Sequence, residues 1–425
     1  MQFNPTMLVS ESWTDNFNQT ASNKLTDYRT VLGPGANVLL NGATTKGFLT
    51  SNAGLTYDTA PSSSNYNLFP TINAGVTQIF NPRLSATLTD NYTRNNNPSQ
   101  ADQFGLNTQR QTFSQNTFSL SVNYLMDRIA TQAYYTNSSF STGGTNGSDT
   151  TSNILGLTAS TQVALYNTVS VGYAYSWSDT SGTSSGSALG TSSGNNSGTT
   201  TGNLFTASLA RQTGTYSSLG ISGSYQLLSC PSSGCSSSQT NSSSGGSTSS
   251  GNEHIWNVSV FSTYGLPSGL SLSSSVGYSQ LSQPNQPSTS GVSSNSNLSY
   301  GFGPARVAVG IFSDFRQTAL TGQNFGIVQT SGYTGSLLYT FTPLVTGSLN
   351  ASYYHNSPTG SGNNSSGQSQ STFLGSANLS WSLLRWLSLN GSYTYSLLSD
   401  PATGSLSGSG SIPVNTVTIS LHAVF

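Results

Sequence analysis

Apolar and polar residues alternate with a period of two from one end of the chain to the other. Residues 117–125 set Phe118, Leu120, Val122 and Tyr124 on one face, against Thr117, Ser119, Ser121 and Asn123 on the other. The same comb recurs in Val169, Val171, Tyr173, Tyr175 and Trp177, and in Leu270, Leu272, Val276 and Tyr278. It returns in Ala377, Leu379, Trp381 and Leu383, then in Leu387, Leu389, Tyr393, Tyr395 and Leu397. A strand sends successive side chains to opposite faces, so each segment has one apolar and one polar face. No stretch carries a 3.6-residue period, and the chain reads as all-β.

Between the combs, short turns alternate with long polar loops. Tight turns are expected near Asn41-Gly42, Asn81-Pro82-Arg83, Met126-Asp127-Arg128, Tyr166-Asn167, Arg211 to Thr215, Leu266 to Gly269, Pro304-Ala305-Arg306, Thr342-Pro343 and Leu384-Arg385. Long loops are expected around 15–26, 59–65, 95–109, 141–150, 179–199, 229–252, 282–292, 318–325, 356–370 and 398–411. Short turns on one side and long loops on the other mark a transmembrane barrel. The spacing predicts about 20 strands (18–22), each long enough to cross a bilayer at a tilt. An even count places both termini on the short-turn side, and closure leaves no open strand edge in hydrocarbon. The fold expected is a single closed antiparallel outer-membrane β-barrel over residues 1–425, with short periplasmic turns and long extracellular loops.

Composition narrows the class further. Only 5% of the 425 residues are charged and 34% are hydrophobic, with a net charge of −1; a soluble domain carries about a quarter charged residues. Serine alone is about a fifth of the chain. No apolar run reaches the roughly 18 residues of a spanning helix. The 44 aromatics, 21 Tyr, 18 Phe and 5 Trp, oppose simple disorder. A β-solenoid adhesin would repeat at a fixed period, and the spacing here is irregular. There is no basic stripe for nucleic acid or for an anionic surface. The start, Met1-Gln2-Phe3-Asn4-Pro5-Thr6, has neither a basic region nor an apolar core, and reads as that of a processed chain or of one given a new start.

Candidate chemistry is sparse. Cys230 and Cys235, with four residues between them in a Ser/Gly-rich stretch, suit a loop disulfide formed in an oxidising compartment. The three histidines, His254, His355 and His422, fit polar rim or lumen positions, and no catalytic, phosphate, haem or metal motif is present. The chain is therefore expected to be no enzyme and to need no cofactor. The functional surface on offer is the lumen wall, written in Ser, Thr, Asn, Gln and Gly with scattered charges at Arg29, Asp314 and Arg316. Asp314 and Arg316 alternate with Val309, Ile311 and Phe315, and so face inward, where they pair or form part of a constriction. Two acids, Glu11 and Asp90, fall on apolar combs. A bulge, a place at the outer rim, or contact with a neighbouring protein would each account for them.

The chain ends in a comb of Val417, Ile419 and Leu421 with a terminal Phe425. This resembles the C-terminal signal read by the outer-membrane barrel assembly machinery, with Ala423 where a bulky residue is usual. Near the start, Pro5 to Asn16, Asp27 to Gly35 with its Pro34-Gly35, and Leu55-Thr56-Tyr57 resemble the opening of the beta-barrel porin 2 type. That group includes barrels accompanying exosortase and exopolysaccharide gene clusters. The resemblance covers about an eighth of the chain, and implies association with export or anchoring of surface polysaccharide. The partners expected are outer-membrane lipids, the assembly machinery, and either surface polysaccharide or a surface or periplasmic protein; a homo-oligomer is left open. The neutral wall suggests a porin-like passive conduit of weak charge selectivity, for small hydrophilic solutes or surface polysaccharide. The alternative is a scaffold barrel that holds a lipoprotein or cytochrome.

Overall fold

A computed structural model describes residues 1–20, 23–60, 65–97, 112–142, 148–182, 198–230, 251–283, 287–317, 327–358, 369–400 and 410–425. The first strands are β1 (Gln2–Thr14), β2 (Asp27–Asn41), β3 (Thr45–Asn52), β4 (Leu55–Asp58), β5 (Tyr66–Leu68), β6 (Thr71–Asn81) and β7 (Leu84–Asn95). They are followed by β8 (Phe113–Met126), β9 (Ile129–Thr142), β10 (Ser148–Ala164), β11 (Asn167–Gly182), β12 (Gly198–Gly214), β13 (Ser217–Cys230) and β14 (Gly251–Gly265). The remainder are β15 (Leu270–Ser282), β16 (Thr289–Phe302), β17 (Ala305–Gln317), β18 (Ile327–Thr342), β19 (Val345–Pro358), β20 (Gln370–Leu384), β21 (Leu387–Asp400) and β22 (Gly410–Val424). All belong to one antiparallel sheet, which β1 and β22 close from Thr6↔Val424 to Thr14↔Thr416. β3 with β4, and β5 with β6, are single crossings interrupted midway, so 22 segments make a closed barrel of 20 strands.

The interruption has a local cause. Gly54 sits at φ +50°, and a Cβ there would collide with the carbonyl oxygen of Phe69 across the break. Only glycine adopts this conformation at low cost. Above the break β4 still pairs with β2 and β5, but no ladder joins β5 to β7 among the described residues.

The apolar combs face outward, as the alternation predicts. Val171, Tyr173 and Tyr175 on β11 are 36–54% exposed, whereas Ala174, Ser176 and Ser178 on the opposite parity are buried. Exposed aromatics collect in two bands on the outer face. Phe80, Tyr166, Tyr216, Phe302, Phe341, Trp386 and Phe425 lie at the short turns. Tyr28, Tyr173, Tyr225, Tyr278, Tyr333 and Tyr393 lie toward the long connections. Such paired girdles mark the two interfaces of an outer-membrane barrel, with the lipid-facing band between them. At the seam, Phe425 stacks on Trp386 with ring centroids 5.7 Å apart, and its N–H donates to the Pro5 carbonyl at 2.9 Å.

Several strands run further than the alternation shows. β11 reaches Gly182, β12 starts at Gly198, and β16 starts at Thr289, all within segments expected as loops. Apart from Val292, both faces of these extensions are polar, so the ladder continues without an apolar comb to reveal it.

Candidate functional site in the barrel lumen

The inner wall divides into two halves with different surroundings. Toward the short turns it is open; Leu338, inward on β18, is 47% exposed. An open recess of about 380 Å³ lies on the wall midway, lined by Asn297, Thr334, Asn350, Ser352, Ser376 and Thr394. Toward the extracellular end the inward side chains are almost fully buried: Phe113, Leu228, Leu281, Val328, Thr330, Asn356 and Gln370 are each at most 1% exposed. Several of these are apolar, where the alternation leads one to expect neutral polar groups. The signal available in the sequence was the doubled apolar pair at a strand end, as in Leu227-Leu228 and Ile327-Val328. Such a pair puts an apolar side chain on each face.

Part of this burial traces to the upper arms of β17 and β18. The β16–β17 ladder stops at Ser294↔Ser313, although β16 runs back to Thr289 and β17 on to Gln317. The β17–β18 ladder continues to Gln317↔Ile327. The upper arms of β17 and β18 therefore part from β16 and pass on its lumen side, while β18 stays laddered to β19 up to Val328↔Pro358. Phe315 and Ile327 cluster with Leu228, Ile255 and Leu281, which point inward from β13, β14 and β15. A Cβ at Gly291 on β16 would lie 2.9 Å from Gln329 Nε2 and 3.9 Å from Phe315 Cζ. Glycine at this position lets the arms pass close behind β16. On the opposite side of the barrel β4 stays laddered to β2 and sets Asp58 on the lumen face beside Arg29.

Arg29 faces inward, as expected, and meets a partner that sequence reading missed. Its Nε and Nη2 donate to Asp58 Oδ1 and Oδ2 at 2.5 and 2.9 Å, and Nη2 also donates to Asn96 Oδ1 at 3.1 Å. The guanidinium carbon sits 5.6 Å from the centre of the Phe69 ring. Asp58 is 1% exposed, so this is a bidentate pair removed from water. Asp27, two residues before Arg29, accepts from the Thr59 and Ala60 N–H groups at 2.9 and 2.7 Å and holds the same corner. Arg29 and Asp58 are cross-strand neighbours, but 29 positions separate them in sequence.

Asp314 and Arg316 lie on the infolded arm. The Asp314 carboxylate accepts the Phe315 N–H at 2.8 Å, and the Arg316 guanidinium covers the Phe312 ring at 5.1 Å. No ion pair joins the two among the described residues. Glu253, next to His254 on β14 and unremarkable in the sequence, is 2% exposed beside the apolar cluster and accepts from Gln283 Nε2 at 2.8 Å.

The other candidates are dispersed. Cys235 lies outside the described residues, as does the side chain of Cys230, which ends β13. His422 faces inward on β22 beside Ser388. His254 accepts or donates at 2.6 Å to the Tyr225 hydroxyl on the outer face. His355 also faces outward, with Nδ1 2.9 Å from Ser371 Oγ. This pair lacks hydrolase geometry. Ser371 Oγ also receives the Tyr353 hydroxyl at 3.0 Å, and the Ser371 N–H, the natural oxyanion donor, is taken by Ser399 Oγ at 3.0 Å.

Glu11 and Asp90 keep their outward positions. The ladders through both run without a register shift, so the bulge reading is corrected. Each sits two residues before an aromatic near the outer girdle, Trp13 and Tyr92, at the interface rather than mid-band. Glu11 Oε2 accepts the Thr30 hydroxyl at 2.7 Å. The terminal comb is outward throughout: Val417, Ile419, Leu421 and Phe425 are 40–65% exposed.

Solved structures with this architecture are outer-membrane barrels. The siderophore receptor PirA from Acinetobacter baumannii matches with TM-score 0.54 and 11% identity, over 100% of this chain and 80% of that one. The ferric enterobactin receptor PfeA from Pseudomonas aeruginosa, in complex with enterobactin, gives 0.52 and 11%, over 100% and 81%. The FrpB iron transporter from Neisseria meningitidis gives 0.52 and 11%, over 100% and 83%. No family model and no curated protein matches the chain. The protein is thus a bacterial outer-membrane protein, a closed 20-strand transmembrane barrel of the architecture seen in siderophore receptors. The beta-barrel porin 2 resemblance gains no support from a family model. The expected function is corrected as well. The neighbours are receptors and an iron transporter rather than passive porins or scaffolds, and the buried extracellular half of the lumen is no wide, water-lined passage.

Proposed function

We propose that this barrel is an uptake receptor that captures a small ligand from outside and admits it through a lumen closed at rest. The observation that carries this reading is the burial of the inner wall at the extracellular end, where Leu228, Leu281 and Val328 are 0% exposed. A passive conduit would keep that wall wet. The ligand class is a small organic chelate of iron, by likeness to the receptors that share the fold. The inner wall offers hydroxyls, amides and aromatic faces (Phe312 and Tyr354, centroids 5.8 Å apart) with few charges, chemistry that fits a compact ligand of low net charge. The Arg29–Asp58 pair acts as a structural tie, since both its charges are already spent on each other.

The terminal comb Val417, Ile419, Leu421 and Phe425 is proposed to keep its role as the assembly signal.

Two measurements test the reading. Reconstituted in planar bilayers, the protein is expected to show little steady conductance; a large, continuously open conductance overturns the closed receptor. Its tryptophan fluorescence is expected to be quenched saturably at micromolar ferric hydroxamate or ferric catecholate chelate. Absence of quenching by both removes the ligand class.

A further inference from the structure

The upper arms of β17 and β18 carry a sequence pattern written for a different position from the one they occupy. Phe315 has the parity of Val309 and Ile311, which are 47% and 45% exposed on the outer face. Continuing the β16–β17 register past Ser294↔Ser313 by one and two rungs would pair Ser293 with Asp314 and Val292 with Phe315. Val292, 61% exposed and outward, would then have Phe315 as its apolar neighbour on the lipid face. Asp314 and Arg316 would remain inward. Every side chain on the extended ladder would thus suit its surroundings.

The structure instead sets the arms on the lumen side of β16, with β18 still laddered to β19 up to Val328↔Pro358. Thr289–Ser293 of β16 keep a ladder with β15 and have none with β17. Phe315 is 7% exposed within the cluster of Leu228, Ile255, Leu281 and Ile327. Gly291 leaves room for Gln329 and Phe315 to pass behind its strand. Two arrangements of the same residues are therefore available. The inward one gains burial of Phe315 and Ile327 on an apolar patch. The outward one gains the missing backbone hydrogen bonds and restores the wall. These are opposing contributions of comparable kind, the condition for a two-state element.

From this we infer that the upper arms of β17 and β18 form a gate that turns about the β18–β19 ladder: bent inward they constrict the extracellular half of the lumen, and zipped to β16 they open it. The apolar patch of Leu228, Ile255 and Leu281 is the latch, which explains why apolar side chains line an otherwise neutral wall. A ligand that occupies this patch in place of Phe315 would release the arms toward the wall. The gate rests on the wall register and the cluster, independently of which ligand the receptor reading assigns.

Two cysteine pairs decide the matter, each in a background carrying Cys230→Ser and Cys235→Ser. Val292→Cys with Phe315→Cys traps the outward arrangement, and Leu281→Cys with Phe315→Cys traps the inward one. Both variants are expected to cross-link on oxidation in membranes. The outward-locked barrel should conduct several-fold more than the inward-locked barrel in planar bilayers, with the difference abolished by reductant. Cross-linking of the inward pair alone overturns the gate, as does equal conductance of the two locked forms. If Val292→Cys with Phe315→Cys does not assemble, Ser293→Cys with Asp314→Cys traps the same state one rung lower. A quiet wild-type barrel without outward cross-linking loses the gate and keeps the receptor reading. A large wild-type conductance removes the receptor reading, and the cross-links still decide the gate.

Discussion

Arg29 and Asp58 show how much a single lumen charge depends on its partner. The side chains are 15% and 1% exposed, and the contact is bidentate. Removing one member leaves an uncompensated charge away from water, a loss of about 3–5 kcal/mol for buried pairs. Asp58→Ala is expected to lower the urea midpoint of the micelle-folded barrel accordingly, while Arg29→Leu with Asp58→Leu recovers most of the loss. Equal midpoints for Asp58→Ala and wild type would exclude a buried tie. Asp90 behaves oppositely. It lies on the outer face with Oδ1 buried and without a hydrogen-bond partner among the described residues. Replacing an unsatisfied polar atom by an apolar one relieves a penalty of about 1–3 kcal/mol. Asp90→Leu should therefore fold at least as stably as wild type; a lower midpoint would expose a partner for the carboxylate. The inward parity of Arg29 and the outward parity of Asp90 were legible from alternation. Their surroundings were not, because cross-strand neighbours and the breadth of the girdle depend on register between distant segments.

At the scale of elements, alternation revealed a strand wherever one face meets lipid and concealed it wherever both faces are polar. The tops of β11, β12 and β16 are rich in Ser, Thr and Gly, and the ladder itself holds them. Breaks within a crossing were hidden for a related reason. Gly54 reads as an ordinary strand glycine until the carbonyl of Phe69 is placed against it. Gly54→Ala is expected to strain the kink by about 1–3 kcal/mol, the usual cost of such a backbone conformation. The check is a lowered unfolding midpoint together with unchanged assembly into the membrane. Phe425→Ala separates the same two quantities in the other direction. It removes the stack on Trp386 and the proposed assembly signal, so membrane-inserted yield should fall several-fold in cells, with a much smaller effect on refolding into detergent. Equal yields from Phe425→Ala and wild type would end the assembly role of the terminal residue.

For the whole molecule, closure is the organising constraint. The sheet is complete only when its last strand meets its first, and the seam is reinforced above its final rung. Asp15 accepts from the Asn415 N–H and Nδ2 at 2.8 and 2.7 Å, and Asn16 Nδ2 donates to the Pro413 carbonyl at 3.0 Å. Hydrogen bonds to a charged acceptor contribute about 1.5–3 kcal/mol. Asp15→Ala is thus expected to lower the temperature at which the barrel loses its compact, fast-migrating form on detergent gels. An unchanged transition would show that the ladder alone seals the seam.

By itself the sequence determined that this is a closed antiparallel barrel: alternation sets one apolar face per strand, and turn asymmetry sets which end faces out. Both are local properties, readable from neighbours two residues apart. It determined in the same way that the lumen face and the long connections carry hydroxyls and amides in place of charge. Whether the lumen is open was decided only in three dimensions. Phe315 carries the pattern of a lipid-facing residue, yet it lies inside, on Leu228, Ile255 and Leu281 from three other strands. Alternation assigns a side chain to a face of its own strand; which side of the barrel wall that face lies on is set by where the ladder between β16 and β17 ends. That end point reflects competition between backbone pairing and apolar burial among segments far apart in the chain.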